Sequence, residues 1–209
     1  MNIVEDQSVE SFLEALASKS ATPGGGSAVA VLGAMGAALV SMVANLTIGK
    51  KNYEEVEGEM REILAASERL RVEILDLVAA DISAFDQVMD AYGLPKDTDQ
   101  EKAARSAAIQ EGLKAAAESP LACAQLCREV VLLCQRAAQV GNRNVISDAG
   151  VGVLSAQAGF RSAVLNVYVN TGAIKDETYV AGALSRVEAL SKGLDQIADS
   201  TYELVKSRL

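Results

Sequence analysis

Histidine and tryptophan are absent from this chain of 209 residues, and lysine and arginine form no run in it. Without histidine there is no imidazole base for Ser-His or Cys-His nucleophile pairs, and the commonest zinc ligand is missing. Any catalysis must use carboxylate, lysine, tyrosine, thiol or backbone groups. The formal net charge of −9 and the lack of clustered positive charge also argue against nucleic acid as a partner.

Aromatic residues, prolines and cysteines are scarce, with three Phe, five Tyr, three Pro and three Cys. The chain is rich instead in alanine, leucine and valine, which is typical of packed helices. Cys123, Cys127 and Cys134 share one face of a helix, where thiols spread over about three turns cannot close on one ion. We therefore expect core packing and no metal site. The odd number of cysteines and the lack of a secretory signal indicate a reduced, cytoplasmic chain.

Residues 20–49 contain no charged side chain. The run is long enough to cross a bilayer, which needs about 20 apolar residues. Gly33, Gly36, Ser41 and Asn45 interrupt it, however, and small residues recur along one side at helical spacing. Because small residues let another helix pack closely, we predict a buried central helix over residues 27–48 and no membrane association.

The uncharged run opens with a turn that contains three consecutive glycines. Glycine adopts backbone angles closed to other residues, and Ser27 is placed to cap the helix that follows. The first amides of a helix favour an anion or a polarised carbonyl oxygen. The glycines lack the lysine of a nucleotide P-loop and do not fit the dinucleotide fingerprint. The turn is a candidate ligand site formed by Thr22, Pro23, Gly24, Gly25, Gly26 and Ser27.

Hydrophobic periodicity predicts an all-α, single-domain bundle over residues 1–209, with about seven helices and no strand. The spacing of Thr98 and Glu101 predicts a capping box, and Ser119 followed by Pro120 predicts the start of another helix. The predicted helices cover residues 5–17, 27–48, 53–91, 98–118, 119–140, 147–170 and 176–208.

Asp81 lies in a stripe of the third predicted helix whose other members, at positions 74, 77, 78, 85 and 88, are all apolar. The spacing predicts that the carboxylate faces the interior of the bundle. Burial raises the pKa of an acid and costs free energy, so such a residue must be paired, hydrogen-bonded or functional. A structural aspartate explains the pattern as well as a catalytic one does.

Asp148 ends a polar connector and opens the next predicted helix, where an ordinary N-cap is the simplest interpretation. A stripe of small and polar residues continues from it through Gly152, Ser155, Gly159, Ser162, Asn166 and Asn170. The stripe is either a close helix contact, such as a subunit interface, or a groove wall whose asparagines face a ligand. Asp148 and Asn166 are about 27 Å apart along a helix, so one site holds both only if a second subunit contributes.

Together these motifs resemble those of the cyclodeaminase/cyclohydrolase family of folate enzymes, over nearly the whole chain. The family includes stand-alone methenyltetrahydrofolate cyclohydrolases and the cyclodeaminase half of formiminotransferase-cyclodeaminase. The resemblance implies an all-helical fold and a homodimer. It rests on Thr-Pro-Gly-Gly-Gly-Ser at 22–27, Met-Gly-Ala-Ala-Leu at 35–39, Leu-Pro-Lys at 94–96 with Glu101, Lys102 and Arg105, Gly141-Asn142 with Ser147-Asp148, and Asn166 with Asn170.

The resemblance implies chemistry on a one-carbon unit of tetrahydrofolate, with a folate derivative as substrate and no tightly bound cofactor. In a cyclohydrolase, water adds to the methenyl carbon between N5 and N10 and gives 10-formyltetrahydrofolate. In a cyclodeaminase, N10 attacks a formimino carbon and ammonia leaves. On this hypothesis Asp148 or Asp81 is the catalytic base. Besides the glycine turn, the residues expected to bind the substrate are Lys96, Arg105, Asn142 and Asn166.

Of the two reactions we expect the cyclohydrolase, because no formiminotransferase domain accompanies this chain to hand over its product. The cyclodeaminase remains the alternative. A folate-binding helical protein without catalysis is a third possibility, against which the joint presence of Asp81, Asn142 and Asp148 argues.

Overall fold

The computed structural model describes residues 7–209 and contains seven α-helices and no strand in that part of the chain. The helices are α1 (Val9–Leu16), α2 (Gly25–Asn45), α3 (Glu57–Gly93), α4 (Asp99–Val140), α5 (Ile146–Thr171), α6 (Glu177–Ser191) and α7 (Leu194–Lys206). Short 3₁₀ turns, Glu54–Val56 and Arg143–Val145, precede α3 and α5. The predicted all-α fold is confirmed.

Helix α2 lies at the centre of the bundle and packs against α3, α4 and α5. It runs antiparallel to α5, and small residues make their contact close: a Cβ at Gly36 would lie 3.0 Å from the carbonyl oxygen of Gly152. By length and composition alone α2 could span a membrane, but 61% of its most apolar window is buried in the protein. The prediction of a buried central helix is confirmed.

The start of α2 differs from the prediction that Ser27 caps it. The N-cap residue is Gly24, in an extended conformation, and no side chain caps the helix. Because Gly25 and Gly26 adopt helical angles, the helix extends back into the glycine turn. Ser27 therefore lies inside the first turn, where its hydroxyl group is buried and has no hydrogen-bond partner among the described residues.

Pro120 does not begin a helix, contrary to the prediction, but lies inside α4, which is one helix of 42 residues. Proline has no N–H, so the carbonyl group of Ala116 loses its usual helical donor. The side chain of Asn170 on α5 replaces that donor, with its Nδ2 2.8 Å from Ala116 O. A hydrogen bond between helices thus satisfies the carbonyl that the proline leaves without a donor.

The last predicted helix, residues 176–208, is two helices. Gly193 separates α6 from α7 with a φ of +72°, in the left-handed region that favours glycine. Arg128 stabilises this break, because its Nη1 donates to Leu190 O at 2.6 Å and to Lys192 O at 3.3 Å. At the other end of the chain, α1 lies within the predicted first helix, whose residues 5 and 6 are outside the described residues.

The largest core cluster joins residues of α2, α3, α4, α5 and α7, and all three cysteines belong to it. The cysteines are free and buried, which confirms that they pack in the core. Burial raises the pKa of the Cys134 thiol well above its ordinary value, so this side chain stays neutral. Within residues 7–209, no group of three or more metal-ligating side chains occurs.

Candidate active site

A cavity of about 370 Å³ lies where the N-terminus of α2 meets α3, α4 and the last turns of α5. This volume and the mixed lining are in the range of small-molecule sites. The polar part of the lining is formed by Thr22, Gly24, Gly25, Gly26, Asp81, Asn166 and Asn170. The apolar part is formed by Ala21, Phe85, Val88, Met89, Tyr92, Leu113, Ala116 and Val169.

The glycine turn contributes backbone donors to this cavity. The carbonyl group of Gly24 accepts the first helical hydrogen bond, from Ala28 N at 3.1 Å. The amides of residues 25–27 precede that bond and have no acceptor within the helix. With the partial positive charge of the helix N-terminus, they suit a ligand oxygen that carries negative charge. Thr22 also lines the cavity, whereas Pro23 is buried beside it.

Asp81 on α3 faces the cavity next to the glycines. Its carboxyl group lies against Gly26 so closely that a Cβ at that position would overlap the carboxyl oxygens. Burial raises the pKa of Asp81 above its ordinary value, because the carboxylate loses water and gains no cationic partner among the described residues. The glycine therefore makes room for a half-buried acid.

Tyr92 forms one edge of the cavity and is contacted by Arg105. Arg105 donates from Nε and Nη2 to Tyr92 O, at 3.2 and 3.0 Å, and its guanidinium group lies 5.5 Å from the centroid of the Tyr92 ring. Arg105 itself does not line the cavity. Lys96 is exposed in the loop after α3 and does not line the cavity. Arg105 thus holds a cavity residue in place.

Two asparagines one turn apart on α5 complete the polar wall. The amide of Asn170 is held by the carbonyl group of Ala116. The side chain of Asn166 makes no hydrogen bond to any described residue, and its Oδ1 lies 3.7 Å from the position of a Cβ on Gly25. Asn166 can therefore offer both a donor and an acceptor to a ligand.

Asn142 does not reach this cavity within one chain, although the sequence places it among the expected substrate-binding residues. It lies at the opposite end of α2, where its N–H donates to Thr47 Oγ1 at 2.9 Å and its Nδ2 donates to Leu46 O at 2.8 Å. Its Oδ1 accepts from Lys50 Nζ at 2.7 Å. These bonds tie the connector between α4 and α5 to the end of α2.

Asp148 is also far from the cavity. It is half-buried in the first turn of α5, with Val145 rather than Asp148 at the N-cap position. The rise of a helix puts it about 27 Å from Asn166. Of the two aspartates, only Asp81 lies in the cavity with the glycines and Asn166 in this chain.

Comparison with known proteins shows the family of this chain and supports its fold. The sequence profile of the family described as formiminotransferase-cyclodeaminase matches residues 8–189. The chain belongs to this family. A methenyltetrahydrofolate cyclohydrolase of Methylorubrum extorquens is 54% identical over 204 residues, which are 98% of each chain. The formimidoyltransferase-cyclodeaminase of Sus scrofa is 35% identical over 96% of this chain, which corresponds to 36% of that longer protein.

A solved structure supports membership of the formiminotransferase-cyclodeaminase family independently. The crystal structure of formiminotetrahydrofolate cyclodeaminase from Thermotoga maritima matches this fold with a TM-score of 0.84 at 34% identity. The match covers 99% of this chain and 97% of the other. The helical arrangement around the cavity is therefore shared with that relative.

Sequence reasoning missed the apolar half of the cavity in this family member. Periodicity predicts that Phe85 and Val88 face the core, but Phe85 is 37% exposed and both residues line the cavity. Their helical spacing from Asp81 was the available signal, because residues three or four apart share a helix face. An aromatic residue one turn from a half-buried acid indicates a cavity wall as well as a core.

Proposed function

We propose that this chain is a methenyltetrahydrofolate cyclohydrolase, which hydrolyses 5,10-methenyltetrahydrofolate to 10-formyltetrahydrofolate. The observation that carries the proposal is a cavity in which one uncompensated carboxylate, Asp81, lies beside helix amides that have no helical acceptor. The methenyl group is a cation, and none of the described lysines and arginines lines the cavity. The 54% identity to a cyclohydrolase over almost the full length supports the same function.

Asp81 acts as the general base in the proposed mechanism. Its carboxylate takes a proton from water while the water oxygen bonds to the methenyl carbon and neutralises the cation. The bond from the tetrahedral carbon to N5 then breaks as Asp81 returns the proton to N5. The hydroxyl proton leaves as the formyl carbonyl forms, so each turnover releases one proton. General-base assistance of this kind contributes about 10² to 10⁴ in rate.

Other groups of the site bind and orient the folate. The amides of residues 25–27 donate to a pterin carbonyl oxygen, and the Asn166 side chain pairs with the polar edge of the ring. The flat ring lies against Phe85 and Tyr92. The anionic glutamate tail of the folate extends out of the cavity past Tyr92, toward Arg105 and Lys96, whose charged groups lie outside the cavity.

Asp148 is the weaker candidate for the base. It lies about 27 Å from the polar wall of the cavity in this chain. Unlike Asp81, it does not lie beside the glycine turn. Asp148 and Asn142 contribute to catalysis only if a second subunit brings its own copies to the cavity.

Ultraviolet absorbance tests the proposal. The purified protein should accelerate the loss of the methenyl band of 5,10-methenyltetrahydrofolate. Asp81→Asn should lower kcat by about 10² to 10⁴. A comparable loss in Asp148→Asn would show that a second subunit brings its Asp148 to the cavity, as the alternative assignment of the base requires. No acceleration by the native protein would refute the function, and native turnover in Asp81→Asn would refute the role of that residue.

The second candidate function is a formiminotetrahydrofolate cyclodeaminase that releases ammonia. The match to the Thermotoga maritima enzyme along both chains favours it. Both reactions pass through a tetrahedral carbon at the same position, so Asp81 would serve either. Growth of the methenyl band from 5-formiminotetrahydrofolate, together with release of ammonia, would identify this activity. Binding of folate without either reaction would indicate a non-catalytic protein.

We also propose a homodimer formed through an exposed apolar face, which we call the α2–α5 face. Helix α2 has no charged residue, and α5 has only Asp148 and Arg161. Exposed apolar faces of this kind mark protein contacts. The face comprises Met35, Met42, Leu46, Val151, Leu154, Leu165 and Val169, which are 43–74% exposed.

The free thiols support a proposal for the compartment. Three free cysteines suit a reducing environment such as the cytoplasm, and we propose that location. The residues that line the cavity bind the folate as a substrate, with no tightly bound cofactor.

A further inference from the structure

A second, much smaller space adjoins the main cavity at Asp81, and we call it the slot. Its volume is about 10 Å³. Gly26, Asp81 and Asn166 line both the slot and the main cavity, so the two spaces meet at these three residues. The slot reaches inward from there to Ala30 on α2 and Ser119 on α4.

The slot has the size and the polar groups that a single water needs. A space of roughly 10 to 15 Å³ holds one water when two to four polar partners surround it. The Asp81 carboxylate, the Asn166 amide, the Ser119 hydroxyl and the Cys123 thiol all border the slot. Among the described residues, the side chains of Asp81, Ser119 and Asn166 have no hydrogen-bond partner of their own, so they can bond to a water.

The remaining walls of the slot are apolar and are formed by Val29, Ala30, Leu77 and Pro120, of which Leu77 is half-buried and the others are buried. Val29 and Ala30 are 4% and 1% exposed, and Pro120 offers no backbone donor. Because the two spaces share Asp81 and Asn166, water can enter the slot from the main cavity past these residues. A folate bound in the main cavity would shut that route.

We propose that the slot stores the water that attacks the methenyl carbon. The inference rests on the proposed cyclohydrolase function. A pterin that fills the main cavity excludes bulk solvent, yet each turnover consumes one water. A water in the slot lies against the carboxylate that deprotonates it, at the boundary with the substrate. Its O–H bond breaks toward Asp81 while its oxygen bonds to the methenyl carbon, and no further reactant is needed. Holding water beside the base replaces a random encounter by a positioned one.

Ala30→Val tests the inference because it adds two methyl groups at a slot wall. Ala34→Val is the matched control, one turn further along α2, where the buried alanine lines neither space. We expect Ala30→Val to lower kcat by about 10², the effect of misplacing a reacting group by an ångström. The KM for methenyltetrahydrofolate and the dissociation constant of folic acid should stay within about twofold, as the main cavity is untouched. Ala34→Val should keep the native kcat.

Ser119→Ala is the second variant, because it removes a water partner without adding volume. The loss of one hydrogen bond should lower kcat by about two- to tenfold, with folic acid binding unchanged. Should Ala30→Val fail to fold, Ser119→Ala decides, and a native kcat in it overturns the inference. A kcat in Ala30→Val equal to that of Ala34→Val, or a parallel loss of folic acid binding, also overturns it. Absence of hydrolysis by the native protein defeats the proposed function and the inference with it.

Discussion

Asp81 is an ionisable residue in a position that costs stability. Its carboxylate is half-buried against Gly26, and none of the described lysines and arginines pairs with it. A packed apolar residue at this position of α3 would avoid the free-energy cost of burying an unpaired charge. Proteins retain such groups where a reaction needs them, so the unfavourable environment of Asp81 is itself an argument for function.

Replacing Asp81 by asparagine should therefore stabilise the protein although it lowers turnover. Burial raises the pKa of Asp81 in the folded state. The contribution of this residue to stability is therefore most favourable below the ordinary aspartate pKa, and it is lost as pH rises through the raised pKa. At pH 7 the full cost is present, and a neutral amide removes it. Thermal unfolding at pH 7 should show that Asp81→Asn raises the free energy of unfolding by about 1 kcal/mol. This corresponds to a rise of about 2 to 4 °C in Tm. The gain should vanish near pH 3, and a lower Tm at pH 7 would contradict the assignment.

The raised pKa of Asp81 also determines the acidic limb of the pH–activity profile. A general base works when deprotonated, so kcat/KM should fall as pH drops through the pKa of Asp81 in the free enzyme. Because burial raises that pKa, the limb should lie at higher pH than an exposed aspartate would give. Asp81 and Tyr92 are the titratable side chains that line the main cavity in the described chain, and Cys123 borders the slot. A pH profile of kcat/KM by the absorbance assay measures the limb, and its disappearance in the residual activity of Asp81→Asn is the control.

Among the helices, the close contact of α2 with α5 sets the position of the cavity. Near its middle, a Cβ at Gly36 would lie 3.0 Å from Gly152 O and 3.1 Å from Ala156 Cβ. At its end, the same antiparallel pairing brings Asn166 to Gly25. The small residues of both helices thus align the polar wall with the glycine turn.

Gly36→Ala should push these helices apart and destabilise the protein. Overpacking of this kind costs about 1 to 3 kcal/mol, and urea unfolding measures it. Gly182→Ala in α6 is the control, because a Cβ there meets nothing within 4 Å and the alanine should add up to about 1 kcal/mol through helix propensity. Equal stability of the two variants would show that the α2–α5 contact tolerates a methyl group.

Periodicity predicted where helices lie better than where they end. The capping box of Thr98 and Glu101 begins α4 as predicted, because its signal is local in sequence. Pro120 misled the prediction because the group that replaces its missing hydrogen bond, Asn170, lies 50 residues away in the chain. The break at Gly193 had a local signal, the glycine itself, but the arginine that stabilises it is on α4.

Over the whole molecule, the fold and half of the cavity could be predicted from sequence. The glycine turn, Asp81 and Asn166 were predicted as site candidates and line one cavity. Asn142 and Asp148 were grouped with them, but the antiparallel packing of α2 and α5 places these two at the far end. Periodicity reports which face of a helix is apolar and does not report which end of a neighbouring helix it meets. That information comes only from the assembled bundle.

A charge placed on the α2–α5 face tests the proposed homodimer. In a dimer formed through this face, Met35→Glu or Leu154→Glu introduces two carboxylates into one apolar interface, where unpaired charges are costly. We expect sedimentation velocity to show dimers for the native chain and monomers for these variants. Leu184→Glu on α6, where the leucine is 37% exposed outside this face, should stay dimeric. Because Val169 belongs both to the face and to the cavity lining, turnover should fall together with the dimer. A monomeric native chain with full activity would show that one subunit holds the complete site.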